Sequence, residues 1–572
     1  MKRDNVKVLA SSVPLIFSLI LAAMCGLPAA GQQTSTQPKV LNNAAVNTPL
    51  NFDVSPPLGE MLTHAAVPGI SHSTHAPLHP KQHQSNSIQK NQAAVPATGL
   101  APSASPLIGA MIGLRFEGVG DAPSAPLNCP SVTAFPVAPP DTNAAVGDTQ
   151  VVEWVNICYA VFDKSSGTVL AGPVPGNAFW AGFGGPCETS NDGDIIIQWD
   201  KKNHRWLASQ NVFSPPYMTC IAVSQTDDAT GSYYRYAFPQ PGFPDYPKWG
   251  LTPNVYYQTQ NDFGPKANGY VGVNVCAYEG NLMRKGNSQA RQACILDTSN
   301  GTLFDDSMLP ADDDSDSGTD APEVLLGSID NFFPGDSHVY EYVFKPDFGN
   351  PANSSLAGVD GSMPVDVPAF DLAFCFSGPF LTTACVPQPP PAIADDNLDT
   401  LGDRLMYRLA HSFAGGQQHF MVTHNVNDTT AVAARWYEFR APGKGSTKLS
   451  LYQFGQTPDD SEYRWMGSVA RDKLGNIALG YSRSSGAPGD YPSIYYAGQT
   501  AGDPLGTTER EAIIKQGSGS QVHTFNRWGD YSSMALDGAD SCTFWYANEY
   551  YPFSGRFAWA TWLASLKFPS CH

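Results

Sequence analysis

An apolar strand, an aspartate, a few turn residues and a second strand recur along this chain as one local grammar. It appears in "AVFDKSSGTVLAG" at Asp163, "IIIQWDKKNHRWLAS" at Asp200, "AVSQTDDATGSYYRYAF" at Asp228, "ACILDTSNGTLF" at Asp297, "SVARDKLGNIALGYS" at Asp472 and "SMALDGADSCTFWYA" at Asp537. An Asp at a turn accepts hydrogen bonds from the backbone ahead of it, and Gly supplies positive φ, so each stretch predicts a β-hairpin. Recurring hairpins argue for a repeated architecture.

A second recurrence sharpens the first. Strand openers led by a Gly appear in "AAVGDTQVVEWV", "NDGDIIIQW", "PKWGLTPNVYYQ", "TLGDRLMYRL", "RWMGSVARDKLG" and "RWGDYSSMALDG", four of them as Gly-Asp at Asp148, Asp194, Asp403 and Asp530. In a radial array these would be innermost strands, where Gly admits close backbone approach and the carboxylate lines a shared channel. From Asp141 to the C-terminus, at roughly 45 to 70 residues per four-stranded blade, the chain would make six to eight blades. The expectation is an all-β protein, a β-propeller of about seven blades, with six or eight also compatible. A poorly marked unit around "LGSIDNFFPGDSHVYEYVFKPDF" is counted among the seven. A β-sandwich array or a right-handed β-helix is the alternative, although the unit is too long for one coil of a β-helix.

Composition agrees. Gly and Pro number 52 and 48 while only 15% of residues are charged, a balance of many turns between short strands. With 33 Lys+Arg against 52 Asp+Glu the net charge is −19, which gives no attraction to nucleic acid or to an anionic membrane surface.

The N-terminus carries Lys2, Arg3 and Lys7, then an apolar stretch from about Val13 to Leu27, then small residues at Ala29, Ala30 and Gly31. That is the layout of a secretory signal over residues 1–31, too short for a spanning helix. Its removal leaves no membrane span and an even set of cysteines: Cys129, Cys158, Cys187, Cys220, Cys276, Cys294, Cys375, Cys385, Cys542 and Cys571. In an exported chain these suggest disulfides, with sequence proximity favouring Cys276 with Cys294, Cys375 with Cys385 and Cys542 with Cys571. Residues 32–106, rich in Gln, Ala, Pro, Ser, Thr and Asn, read as a disordered leader. They include His64, His72, His75, His79 and His83, read either as a solvated tail or as a metal-scavenging tract. Residues 107–140 form a lead-in and 141–572 the propeller. The expected location is secreted or periplasmic, and the expected state a monomer.

The best chemical case is at the channel. Asp192, Asp194, Asp245, Lys248, Asp403, Arg404, Arg464, Arg527 and Asp530 lie at or beside expected inner-strand starts, so different blades would point them to one mouth. Paired carboxylates there could cleave glycosides as acid and as nucleophile or base. Equally, Asp and Arg from adjacent blades could neutralise each other and rigidify the ring, which repetition favours. Candidate catalytic residues are Asp194, Asp530, Arg527 and Tyr531. Candidate ligand-binding residues are Asp245, Lys248, Trp249, Arg404 and Arg464.

Calcium is the one cofactor suggested. "CETSNDGD" offers Glu188, Asp192 and Asp194 around the tight turn that Gly193 permits, and "ADDDSDSGTD" offers Asp312, Asp313, Asp314, Asp316 and Asp320, read first as a solvated acidic loop. Aromatics at Tyr217, Trp249 and Tyr550 could stack on sugars or fill blade interfaces, and packing is the reading for Trp528 and Trp545. No P-loop, dinucleotide motif, HExxH or G-x-S-x-G elbow is present.

The strings "PPDTNAAVGDTQVVEWVN", "FGGPCETSNDGDIIIQWDKKNHRWLASQ", "DYPKWG" and "RWGDYSSMALDGADSCTFWYANEYY" resemble those of large exported bacterial proteins whose core is similar to sialidase-like β-propellers. The resemblance spans about Asp141 to Cys571 and implies a propeller more than an activity. The chain departs from true sialidases in having only degenerate forms of their Ser-x-Asp-x-Gly-x-Thr-Trp turns, such as "ARDKLGNIAL" and "DKSSGTVL". Arg404, Arg464 and Arg527, with Tyr531 beside Asp530, are residue types a sialidase uses, but no matching motif carries the roles over. The expected function is a propeller that binds a glycan or an extracellular protein at one face. The alternative is a sialidase-like glycoside hydrolase working through channel carboxylates.

Overall fold

The computed structural model describes residues 37–61, 109–121, 127–129, 138–267, 269–298, 306–315, 320, 322–328, 336–377, 380–508, 511–523 and 526–572. The expected signal peptide and the histidine tract lie outside them. The described elements all belong to one compact unit, Pro38 to His572.

Seven antiparallel sheets follow one another along the chain. Their innermost strands are Thr142–Val146 (blade 1), Ile196–Asp200 (blade 2), Pro244–Leu251 (blade 3), Leu309–Asp313 (blade 4), Leu405–Ala414 (blade 5), Tyr463–Arg471 (blade 6) and Ser533–Leu536 (blade 7). Each inner strand lies against the next, and that of blade 7 lies against that of blade 1, which closes the ring. The chain is therefore an all-β, seven-bladed propeller. In blades 4 and 5 the inner strands also pair directly, in parallel, at Ala311↔Leu409, Asp312↔Ala410 and Asp313↔His411.

The hairpin grammar is physical. Asp163 Oδ1 accepts from the N–H groups of Ser165 (3.0 Å) and Ser166 (2.9 Å), and Asp472 Oδ1 from Leu474 and Asn476 (2.9 Å each). Asp200, Asp228 and Asp537 act alike toward Asn203, Thr230 and Ala539. Asp297 differs, for it ends the fourth strand of blade 3 rather than a hairpin's first. Asp148 also differs: it sits in the turn after the inner strand of blade 1 and pairs with His204 at 2.6 Å.

Both faces of each blade are covered by its neighbours, so successive residues of a strand enter different cores. Ile197 and Ala208 face blade 1 with Trp154 and Trp206, whereas Ile196 and Leu207 face blade 3 with Trp249 and Tyr256. This accounts for apolar runs such as "IIIQW" that do not alternate with polar residues. Five disulfides staple the blades: Cys129–Cys158, Cys187–Cys220, Cys276–Cys294, Cys375–Cys385 and Cys542–Cys571, including the three pairings expected from proximity.

The domain limits change at the N-terminal side. Part of the expected leader is structured: β1 (Val40–Asn42), β2 (Ala45–Asn47) and β3 (Asn51–Val54) are fifth, outermost strands of blades 4, 3 and 2 respectively. β4 (Met111–Gly120), from the expected lead-in, is the fourth strand of blade 7. The physical reason is that an edge strand needs one good pairing ladder and not a core of its own. β3 adds Asp53, whose carboxylate meets the Arg235 guanidinium at 2.9 and 2.6 Å while that guanidinium also donates to the Phe179 and Ala181 carbonyls.

Candidate functional site

All seven inner strands carry an aspartate near their start, either within the strand or one to three residues before it: Asp141, Asp194, Asp245, Asp306, Asp403, Asp460 and Asp530, of which Asp460 is taken up by Arg464. Several of these lead-ins are left-handed, with φ of 50° at Asp141, 48° at Asp194 and 54° at Tyr246. For a bulky residue such as Tyr246 that conformation is costly, and it coincides with a bulge between Asp245 and Lys248. The bent lead-ins turn carboxylates from different blades toward one another.

Asp141, Asp194 and Asp530 converge, each offering an oxygen within 4.8 Å of the other two. Asp194 Oδ2 accepts from the Tyr246 N–H at 2.9 Å, and Asp141 Oδ2 from Asn156 Nδ2 at 3.2 Å. Asp245 shares a hydrogen bond with Asp194. Lys248, fully buried, lies 3.2 Å from the Tyr246 ring centroid and 4.3 Å from that of Tyr531, and donates to the Pro247 carbonyl at 3.0 Å. Arg404 makes a two-pronged pair with Asp403 (2.8 Å twice) and sits 4.8 Å over the Tyr246 ring. Arg527 ion-pairs with Asp530, and Tyr531 Oη donates to the Ile195 carbonyl at 3.1 Å.

Burial decides the electrostatics here. It drives the Asp141 carboxyl well above the usual range, with the Asp194 charge adding to the effect. Asp245 rises for the same two reasons, and Glu549, which presses on Gly529, rises through burial against the pull of Arg527. Burial also brings Lys248 down to about 7, although Asp194 and Asp141 oppose it. Burial and like charge thus favour the neutral forms of Asp141 and Asp245, and the nearby Arg527 opposes them. Several buried atoms have no hydrogen-bond partner: Asp141 Oδ1, Glu549 Oε2, and Arg527 Nε and Nη1.

The structure brings together Asp194, Asp245, Lys248, Arg404, Arg527, Asp530 and Tyr531 of the residues singled out from sequence. It sets others apart. Trp249 is buried between blades 2 and 3, stacked on Tyr278 at 5.3 Å. Arg464 is held by Asp460 (2.7 Å) and Glu511 (2.8 Å). Tyr217, Tyr550, Trp528 and Trp545 are all buried, so none of these rings is an exposed stacking platform.

The calcium set Glu188, Asp192 and Asp194 is not gathered. Glu188 caps the loop N–H groups of Gly182 (2.9 Å) and Gly184 (2.7 Å), and Asp192 Oδ2 accepts from the Phe213 N–H at 2.9 Å. Gly193, at φ 98°, turns the chain between Asp192 and Asp194. The second acidic stretch is no solvated loop where it is described: Asp312 and Asp314 are buried, with Arg408 on both and Lys201 on Asp314. Asp313 ends the inner strand of blade 4 opposite His411, and Asp320 accepts from Asn254, whereas Asp316 lies outside the described residues.

Asp141, Tyr246 and Asp306 complete the site together with Glu549, and the first three did not stand out as candidates in the sequence. A signal for two of them exists in the Pro-Asp steps of "PPDTN" and "FPDYP", which precede strands just as the Gly-Asp steps do.

No protein-family model matches the chain, and no curated protein does. Among solved structures, polysaccharide lyase Uly1 is similar at 10% identity, with 81% of this chain and 98% of that one covered and a TM-score of 0.35. The α-L-arabinanase of Penicillium chrysogenum, complexed with arabinobiose, is similar at 8% identity, covering 80% and 100%, with a TM-score of 0.33. The WD40 domain of SCAP from fission yeast is similar at 8% identity, covering 74% and 82%, with a TM-score of 0.33. Likenesses this loose assign no chemistry to the site. No helix among the described residues is long and apolar enough to cross a membrane, and five disulfides fit an oxidising compartment.

Proposed function

We propose that this chain is an exported propeller that binds a glycan at the channel group formed by Asp141, Asp194, Asp245, Arg527 and Asp530. The observation that carries the reading is the pairing of orphan groups of both kinds: Arg527 Nε and Nη1 are donors in want of an acceptor, while Asp141 Oδ1 and Glu549 Oε2 are acceptors in want of a donor. A sugar hydroxyl is donor and acceptor at once, so a polyhydroxylated neutral ligand answers both. A simple anion would satisfy only Arg527 and would meet a surplus of carboxylates.

The test is a glycan array on purified protein, repeated with Asp141→Asn and Arg527→Lys, with near-ultraviolet circular dichroism to confirm packing. Binding that weakens at least about tenfold in folded variants is the expected result. A folded wild type that retains no glycan on the array overturns the reading.

One observation favours glycoside hydrolysis as the second reading: Asp245 shares a hydrogen bond with Asp194, and burial together with the Asp194 charge raises its carboxyl, the relation of a general acid to a carboxylate partner. It expects reducing sugar released by the wild type and none by Asp245→Asn. Binding without release leaves the first reading alone.

A further inference from the structure

Asp530 leads into blade 7, Asp141 into blade 1 and Asp194 into blade 2. These three blades are consecutive around the ring and include the seam between its last and first members. The seam lies where the two ends of the propeller meet: β4 completes blade 7 by pairing with Ala560–Lys567, and the chain then runs on to the inner strand of blade 1 at Thr142, so closure depends on that one ladder and on side chains. At this seam three carboxylates offer oxygens within 4.8 Å of one another.

From this geometry we infer that Asp141, Asp194 and Asp530 bind one calcium ion that clasps blades 7, 1 and 2 across the ring closure. Three acidic groups held this close in the interior need a positive partner, and those at hand serve incompletely. Among the described residues Arg527 makes its ion pair with Asp530, and its charge is shared with Asp141, Asp245 and Glu549. The hydrogen bond of Lys248 goes to the Pro247 carbonyl rather than to a carboxylate. A second observation points to a missing ligand independently of the triad. Glu549, 1% exposed, packs against Gly529 next to Asp530 and leaves Oε2 without a partner, as Asp141, also 1% exposed, leaves Oδ1. The donor set is all oxygen and rich in carboxylates, which suits calcium, with its roughly six to eight oxygen ligands. Magnesium keeps most of its waters and takes one or two carboxylates. The spread of the three oxygens matches ligands about 2.3–2.6 Å from a shared centre. The set differs from the Glu188, Asp192 and Asp194 grouping, with which it shares only Asp194. It shares its carboxylates with the glycan reading but is tested separately from it, because calcium can be measured with no sugar present.

The experiment uses the chelator-treated full chain. Terbium luminescence sensitised by the neighbouring Tyr246 and Tyr531 should appear on titration and be displaced by calcium, with magnesium at least about tenfold less effective. Thermal unfolding should shift upward by a few degrees in saturating calcium. Asp141→Asn and Asp194→Asn should each weaken terbium binding at least about tenfold, while Glu188→Gln and Asp192→Asn leave it unchanged. If the aspartate variants do not fold, displacement of terbium by calcium in the wild type still decides. Absence of any terbium signal or calcium-dependent shift overturns the site, as does loss in Glu188→Gln with retention in Asp141→Asn.

Discussion

Glu438 shows how much one side chain can do in a blade of this kind. It is 1% exposed in blade 5 and accepts from His419 (2.8 Å), Gln453 (2.6 Å) and Arg440 (2.8 Å). Burial alone would raise its pKa, but these hydrogen bonds prevail and hold it at about 2, from an ordinary 4.5. A folded pKa below the unfolded one means stability that is present above pH 4.5 and is lost as pH falls toward 2. The shift corresponds to about 3 kcal/mol at neutral pH. Glu438→Gln should therefore lower the urea-derived stability at pH 7 by about that amount. The gap between the two proteins should close between pH 4.5 and 2 when unfolding is followed across pH. A gap that does not change with pH would assign the loss to packing.

Elements at the rim tell a different story from those at the axis. β3 depends on Asp53 to answer Arg235, which is 1% exposed and keeps only carbonyl partners once the carboxylate is gone. Because the Asp53 side chain is 30% exposed, screening discounts the pair, and Asp53→Ala should cost about 1–2 kcal/mol. Limited proteolysis should then cut first within residues 37–61, ahead of the blades. The inner and hairpin strands were legible in the sequence because their turns demand particular residues: an Asp that caps the turn, a Gly that bends it. β1 to β3 were not, since three- and four-residue edge strands such as "VLN" and "AVN" carry no period and take their structure from a ladder supplied hundreds of residues away. The site divides likewise. Asp194, Asp530 and Arg527 announced themselves by their Gly neighbours, whereas Asp141 follows two prolines and lacks a Gly-Asp step, so that only the third dimension brings it to Asp530.

At the scale of the whole molecule the ring closes within blade 7, and Cys542–Cys571 braces that blade by tying the stretch after its third strand to the turn that opens its second. With a sequence separation of 29 between the partners, loop-closure entropy puts its contribution at about 3–4 kcal/mol. The double variant Cys542→Ser, Cys571→Ser should unfold at correspondingly lower denaturant, and blade 7 should lose amide hydrogen-exchange protection before blade 3. Uniform loss of protection in all blades would show that the seam is no weaker than the rest.

β4 is the outer strand of blade 7, yet its partner, Ala560–Lys567, lies more than four hundred residues downstream. In a chain made from its N-terminus, the first strand of that blade's outer edge waits for nearly the last. β1, β2 and β3 wait too, in an order opposite to synthesis, since the earliest of them docks on the latest-made of their three blades. Blades 2, 3 and 4 consequently gain their outer strands one after another as each is made, and blade 7 gains its own only when Ala560–Lys567 has emerged. An interruption ahead of Ala560 would leave β4 without its partner while β1, β2 and β3 keep theirs.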